Sequence, residues 1–416
     1  MRRAAALLLA AAAIVSAPRP ASAYSVLAHE AMVDALWDDA IVPALRQRFP
    51  ATDAVRLQRA RAFAYGGSVI QDLGYYPFGS KQFTNLVHYV RSGDFVEALV
   101  RDARDVDELA FALGAVAHYA ADNVGHSVAV NRVVPMIYPK LRAKHGDEVI
   151  YAHDPRRHVM VEFAFDVVQV ATGAYLPDGF RAYIGFEVSK PALERAFAAT
   201  YGLTLDDLFA DVDLAIGTFR YAVSRTIPEM MRVAWKEKQD EIRKLAPAVD
   251  PDAFIFSLTR RDYEAAYGTA YRRPGFFARF LGLIVRVLPK IGPLSALAFR
   301  LPTPEAQRLF AESFRDSRER FGAMIVDASD GSVELANTDF DVGRPGRTGE
   351  NPIADETYVE LLDTLSARAF TATPPELRLD IVQYFRNLDT ATAKDEKLRK
   401  RSPEIRSQLV QLARSG

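Results

Sequence analysis

Cysteine is absent from this 416-residue chain. That removes disulfides, thiolate metal ligands and thiol nucleophiles together. Strand signals are scarce, so sheet-built folds are excluded and the expected class is all-α. Long apolar runs are missing after the N-terminus. No later stretch reaches the about 20 uncharged residues that a membrane-spanning helix needs. Charge of one sign is not in excess either, with 52 basic and 53 acidic residues. That balance gives no global basic footprint for nucleic acid. Glycine and proline, 23 each, are too few for a disordered chain. What remains is the composition of a soluble globular protein, long enough for a large core or two domains.

The N-terminus reads as a leader rather than as part of the fold. Arg2 and Arg3 precede the apolar run Ala4 to Val15, and Ala21-Ser22-Ala23 is a peptidase site. Residues 1–23 are therefore predicted to be a secretory signal peptide, with Tyr24 as the new N-terminus. The protein is expected to be exported, either secreted or periplasmic. Removing the leader's three arginines leaves 49 basic against 53 acidic residues. An exported chain without disulfides must be held by its core and by bound metals.

Histidine is where the sequence speaks. Of seven histidines, five stand in motifs with acids. His118, Asp122 and His126 recur every fourth residue in a helical stretch, Asp105 to Val128, so their side chains share a face. His158 and Glu162 repeat that spacing in a helix capped by Asp154 and started by Pro155. Imidazole and carboxylate are zinc-ligand types. A buried, unpaired carboxylate is costly, and a metal ion satisfies both donor types at once. His29 lies on the first helical stretch of the mature chain, Tyr24 to Leu36. Asp72 lies in a Gly- and Pro-rich stretch, 67–79, that reads as a loop. His88 follows on a short helix from Phe83 to Val90. His145 and His153 have no helical partner and read as exposed or supporting residues.

Elsewhere the pattern is helical from Ser189 to Leu245, with a capping start at Thr204 to Asp207. The segment Arg272 to Lys290 is apolar with basic punctuation and is expected to be a core helix with snorkelling arginines. Ala323 to Pro352 reads as a long loop with a hairpin at Asp330-Gly331. Two helices, near Asp355–Phe370 and Pro374–Leu388, precede a charged tail. The expected organisation is a catalytic domain over 24–248 and a mostly helical extension over 249–416.

The ordered set His29, Asp72, His88, His118, Asp122, His126, His158 and Glu162 resembles the zinc-dependent phospholipase C family. Its wider superfamily includes the S1/P1 nucleases. The close spacing of Asp122 and His126 is similar to the N-terminal domain of glycosylphosphatidylinositol-specific phospholipase D. The resemblance implies an all-helical domain with up to three zinc ions. Asp72, His88, His118 and Asp122 would hold one ion, and His126, His158 and Glu162 a second, more open one. His29, Asp122 and the amine and carbonyl of Tyr24 would hold a third. A type member has Trp where this chain has Tyr24, and the extension has no counterpart in the family pattern.

The implied activity is hydrolysis of phospholipid head-group phosphodiesters through a metal-bound hydroxide. Asp72 is the candidate to orient or deprotonate the water, and Tyr75, Tyr76 and Phe78 are candidates to wall a head-group pocket. The expected partner is phospholipid at a membrane surface, with no stable nucleic acid, and the chain is expected to be a monomer. Two alternatives stand beside this reading: an S1/P1-type zinc nuclease and a non-catalytic exported zinc-binding protein. Glu162 favours the phospholipase, since the nucleases usually carry Asp there.

Overall fold

The computed structural model describes residues 25–174, 186–249, 297–392 and 395–415. The leader, Tyr24 and the Arg272–Lys290 segment lie outside them. The described residues are mostly helical, with no strand and a single isolated bridge between Asp339 and Arg344. The all-α expectation holds.

The structure is arranged around α6, Val106–Val124. Asp105 caps it by accepting hydrogen bonds from the backbone N–H groups of Asp107 and Glu108. Every residue of α6 is buried. A helix apolar on all sides needs neighbours on all sides. α3 (Ala54–Val69) packs along one flank, α13 (Pro304–Ala328) along another, and α1 (Val26–Asp34) and α5 (Ser92–Arg101) close the rest. Small residues set the α3–α6 distance. A Cβ on Gly67 would lie 1.8 Å from the Phe111 carbonyl oxygen, and one on Gly114 would lie 2.0 Å from that of Ala64. Glycine at these places allows backbone to approach backbone. It does not end α3, which runs past Gly66-Gly67 to Val69 and into a 3₁₀ turn over Ile70–Tyr75. The predicted loop over 67–79 is thus mostly helical, and Asp72 is buried rather than solvated.

After α6 comes a π turn, Gly125–Val130, which carries His126. Then follow α7 (Asn131–Ile137), α8 (Pro139–His145) and a 3₁₀ turn, Tyr151–His153. α9 (Pro155–Thr172) starts as predicted, with Asp154 accepting from the Arg157 N–H, and stops at left-handed Gly173. It packs against α12 (Ile227–Leu245), and Phe165 stacks on Phe310 of α13 at 4.4 Å.

The C-terminal segment joins this core. One buried apolar cluster runs from Val26 of α1 to Leu412 of α17 (Glu396–Arg414). The predicted charged tail is that helix, with Leu398, Ile405 and Leu412 turned inward. The predicted loop from Ala323 begins only after Ala328, where α13 ends. Asp330-Gly331 is a turn closing that helix, not a hairpin. From Leu335 to Asp341 the chain lies across the site face. The Leu335 N–H donates to Glu97, the Asp94 N–H to Asn337, the Tyr119 hydroxyl to the Ala336 carbonyl, and the Phe340 N–H to the His88 carbonyl.

Candidate metal centre

His118 and Asp122 stand one turn apart on α6, and α4 (Lys81–Tyr89) delivers His88 beside them. The His118 Nδ1 faces the Ser68 carbonyl at 2.9 Å, and the His88 Nδ1 faces that of Thr84 at 2.8 Å. A carbonyl only accepts, so each Nδ1 is the protonated nitrogen. In the neutral ring each Nε2 then offers a lone pair. These two lone pairs converge, with the Nε2 atoms 3.4 Å apart. Asp122 Oδ2 lies 3.2 Å from His118 Nε2 and 3.5 Å from His88 Nε2. Asp72 Oδ1 is 3.5 Å from His88 Nε2. On the other side, His29 Nε2 is 3.4 Å from Asp122 Oδ1, and its ring stacks on His118 at 4.3 Å.

Five buried groups therefore aim acceptors at one another. The donor atoms of His29, His118 and Asp122 all lie within 4.8 Å of each other, as do those of Asp72, His88 and His118. Neither Asp122 oxygen has a hydrogen-bond donor, and Asp72 Oδ1 has none. Leaving such atoms unsatisfied in a dry interior costs several kcal/mol, on the order of 2–7 each. Two tetrahedral ligands of one zinc ion, with bonds of about 2.0–2.2 Å, sit about 3.3–3.6 Å apart. The separations here, 3.2–3.5 Å, fit that edge length. The residues fit a divalent ion, and Asp122, facing both triads, fits a bridging ligand.

The electrostatics point the same way. Burial opposes charge on His88, yet the carboxylates of Asp122 and Asp72 overcome it and push the imidazole up to about 10. His118 is raised in the same sense, against burial, chiefly by Asp122. Burial and the neighbouring His118 drop His29 to about 3. Asp122 is held well below the ordinary carboxylate range, against burial, by His118, His88 and His29. The cluster demands positive charge, and a proton is the least that answers it.

The second half of the predicted set is looser. His126 and His158 face each other with ring centroids 5.9 Å apart, and Glu162 is buried on the same α9 face as His158. His158 Nε2 bonds to the Val149 carbonyl at 2.5 Å, leaving Nδ1 without a partner. Nδ1 of His126 and Oε1 of Glu162 also lack partners. Burial, then His126, lowers His158 to about 3. Burial, then Asp122 and Asp72, raises Glu162 well above its usual range. Among the described residues no tight triad includes His126, His158 or Glu162. Tyr75 lies edge-on to His88 and Tyr151 edge-on to His158, and the two tyrosines are 6.4 Å apart. They span the two halves. Tyr76 instead stacks on Phe219 at 4.1 Å, and Phe78 is solvent-exposed with left-handed backbone. His145 and His153 stack on each other at 4.1 Å.

One residue at the centre had no signal in the sequence beyond an Asp-rich loop. Asp341 Oδ1 lies 3.7 Å from His126 Nε2. Phe340, next to it, packs edge-on against His88 at 5.1 Å and roofs the cluster.

Helices surround a buried histidine–carboxylate cluster of the kind that can hold a metal ion. Residues 28–210 match the family model described as zinc dependent phospholipase C, so that stretch is similar to this family. Neither a curated protein nor a solved structure matches the chain. No described helix is long and apolar enough to cross a membrane.

Proposed function

We propose that the chain is an exported zinc-dependent phosphodiesterase that cleaves phospholipid head groups in the manner of a phospholipase C. The observation that carries this reading is the convergence of His29, Asp72, His88, His118 and Asp122 within a family-matched stretch. Zinc supplies Lewis acidity: it lowers the pKa of water toward neutrality and neutralises charge on phosphoryl oxygens. Asp72, His88, His118 and Asp122 would hold one ion. His126, His158 and Glu162 would hold a second, and His29, Asp122 and the freed amine and carbonyl of Tyr24 a third.

His88 and His118 are oriented for this. Carbonyls of Ser68 and Thr84 fix the tautomers of His118 and His88, so each presents Nε2. Asp72 has Oδ1 turned to His88, and we assign its Oδ2 to orient the attacking water and take its proton. Water oxygen then bonds to phosphorus, the bond from phosphorus to the glycerol oxygen breaks, and the leaving alkoxide takes a proton from solvent. Tyr75 and Tyr151 are placed to wall the head group. The roof formed by Phe340 limits competing water.

The test is hydrolysis of phosphatidylcholine vesicles by the full chain, with products identified by mass spectrometry. Diacylglycerol and phosphocholine are expected, lost on chelation and restored by zinc. Phosphatidate would place the cut on the D-type bond. Cleavage of single-stranded DNA without lipid hydrolysis would favour the nuclease, and bound zinc without either activity a binding protein.

A further inference from the structure

Asp341 lies far outside the family-matched residues, yet it reaches the least-filled part of the centre. Resting on the metal-centre reading above, we propose that Asp341 is a ligand of the ion held by His126, His158 and Glu162. The C-terminal segment thereby completes a site that the matched stretch leaves short of donors.

Three observations carry this. The first is how the two oxygens of Asp341 are used. Oδ2 takes both available donors, the Asn351 amide at 3.0 Å and the Tyr89 hydroxyl at 3.2 Å. Oδ1 is turned to His126 Nε2 at 3.7 Å, too long for a hydrogen bond and just past the edge length of about 3.3–3.6 Å between two ligands of one ion. A carboxylate steadied through one oxygen, with the other presented, is how supporting groups orient a metal ligand.

The second is the contrast with Asp339, two residues away and equally buried. Its Oδ1 accepts the Asp341 N–H at 2.9 Å and its Oδ2 accepts the Asn351 amide at 2.9 Å. Both oxygens of Asp339 are occupied in holding the turn. Asn351 bridges the two acids, so Asp339 builds the turn and Asp341 faces the centre.

The third is rigidity and need. The Asp341 carbonyl accepts from the Asn131 amide at 2.6 Å, and the preceding N–H, that of Phe340, donates to the carbonyl of His88. Gly343, at φ +68°, lets the turn close against the Asn123 carbonyl, where a Cβ would lie at 2.4 Å. The turn is thus fastened to the same two stretches that carry His88 and His126. Besides His126, whose Nε2 faces Asp341, His158 Nδ1 and Glu162 Oε1 are buried with no partner. Two imidazoles and one carboxylate make three donors, and Asp341 makes the fourth.

The test is zinc affinity and stoichiometry in the full-length protein, by chelator competition and mass spectrometry. Asp341→Asn keeps the shape and should weaken one zinc site about 10–100-fold while leaving the others unchanged. Asp341→Glu should restore most of that affinity, and Asp339→Asn should hold zinc as the parent does. Parental zinc binding in Asp341→Asn overturns the proposal. His126→Asn separates the two levels. If it loses zinc while Asp341→Asn does not, only the role of Asp341 falls. If both keep every ion, the site assigned to His126, His158 and Glu162 falls. Should Asp341→Asn fail to fold by circular dichroism, cobalt-loaded Asp341→Glu decides. Its visible absorption should differ from that of the cobalt-loaded parent, and an identical spectrum overturns the proposal.

Discussion

Asp122 gathers His29, His88 and His118 around one carboxylate, all within 3.5 Å. Its neighbours share its chemistry of acceptance, so each ring or carboxylate removed leaves the rest crowded around less positive charge. His118→Ala and Glu162→Ala are each expected to reduce phospholipid hydrolysis by at least about a hundredfold, measured at saturating zinc. Parental activity in the Glu162 variant would remove that residue from the centre. At this scale much was legible. Spacing of four along a helix places His118 with Asp122 and His158 with Glu162 before any fold is known. Two features were not legible. The carbonyls of Ser68 and Thr84 that set the ring tautomers carry no sequence signature. Asp341 sits in a turn whose approach to His126 depends on how the C-terminal segment folds back.

Between elements, the α3–α6 contact positions the site, because it brings the Ser68 carbonyl to His118 and the 3₁₀ turn with Asp72 to α4. It depends on glycine at 67 and 114, where an added Cβ would strike backbone that has no room to yield. Gly114→Val is expected to destabilise the protein by about 3 kcal/mol, at the upper end for overpacking, and to lower zinc affinity with it. Denaturant unfolding read alongside zinc titration checks both. A variant as stable as the parent would show that this contact is not the support described. Helix starts were well marked in the sequence. Asp53, Asp105 and Asp154 each cap the helix that follows, and Thr204 forms a capping box with Asp207. Ends were less legible. Gly66-Gly67 resembles a stop, but here glycine serves close packing between helices, a need that arises only in three dimensions. Likewise the charged stretch after Leu388 hides its apolar stripe, since Leu398, Ile405 and Leu412 recur at helical spacing among solvated charges.

Across the whole molecule, the C-terminal segment is tied to the family-matched region by core, turn and charge. Arg368 follows α14 (Pro352–Ala367) and pairs with Asp207 at 2.6 Å. The Arg368 guanidinium holds the Asp207 carboxyl below its ordinary range despite some burial. A carboxylate lowered on folding adds stability above its unfolded pKa of about 4 and loses it as pH falls below that. Asp207→Asn is therefore expected to cost about 0.5–1 kcal/mol at neutral pH, a figure kept small by the pair's partial exposure, with the difference closing in acid. Thermal melts of both proteins at several pH values test this, and a difference that widens in acid would contradict it. The account as a whole turns on metal. Zinc per chain, measured by plasma mass spectrometry on the purified folded protein, is its most direct test. More than one tightly held ion is predicted, with phospholipid hydrolysis lost when they are stripped. A folded, metal-free protein that takes up no zinc, or one equally active after stripping, would contradict it.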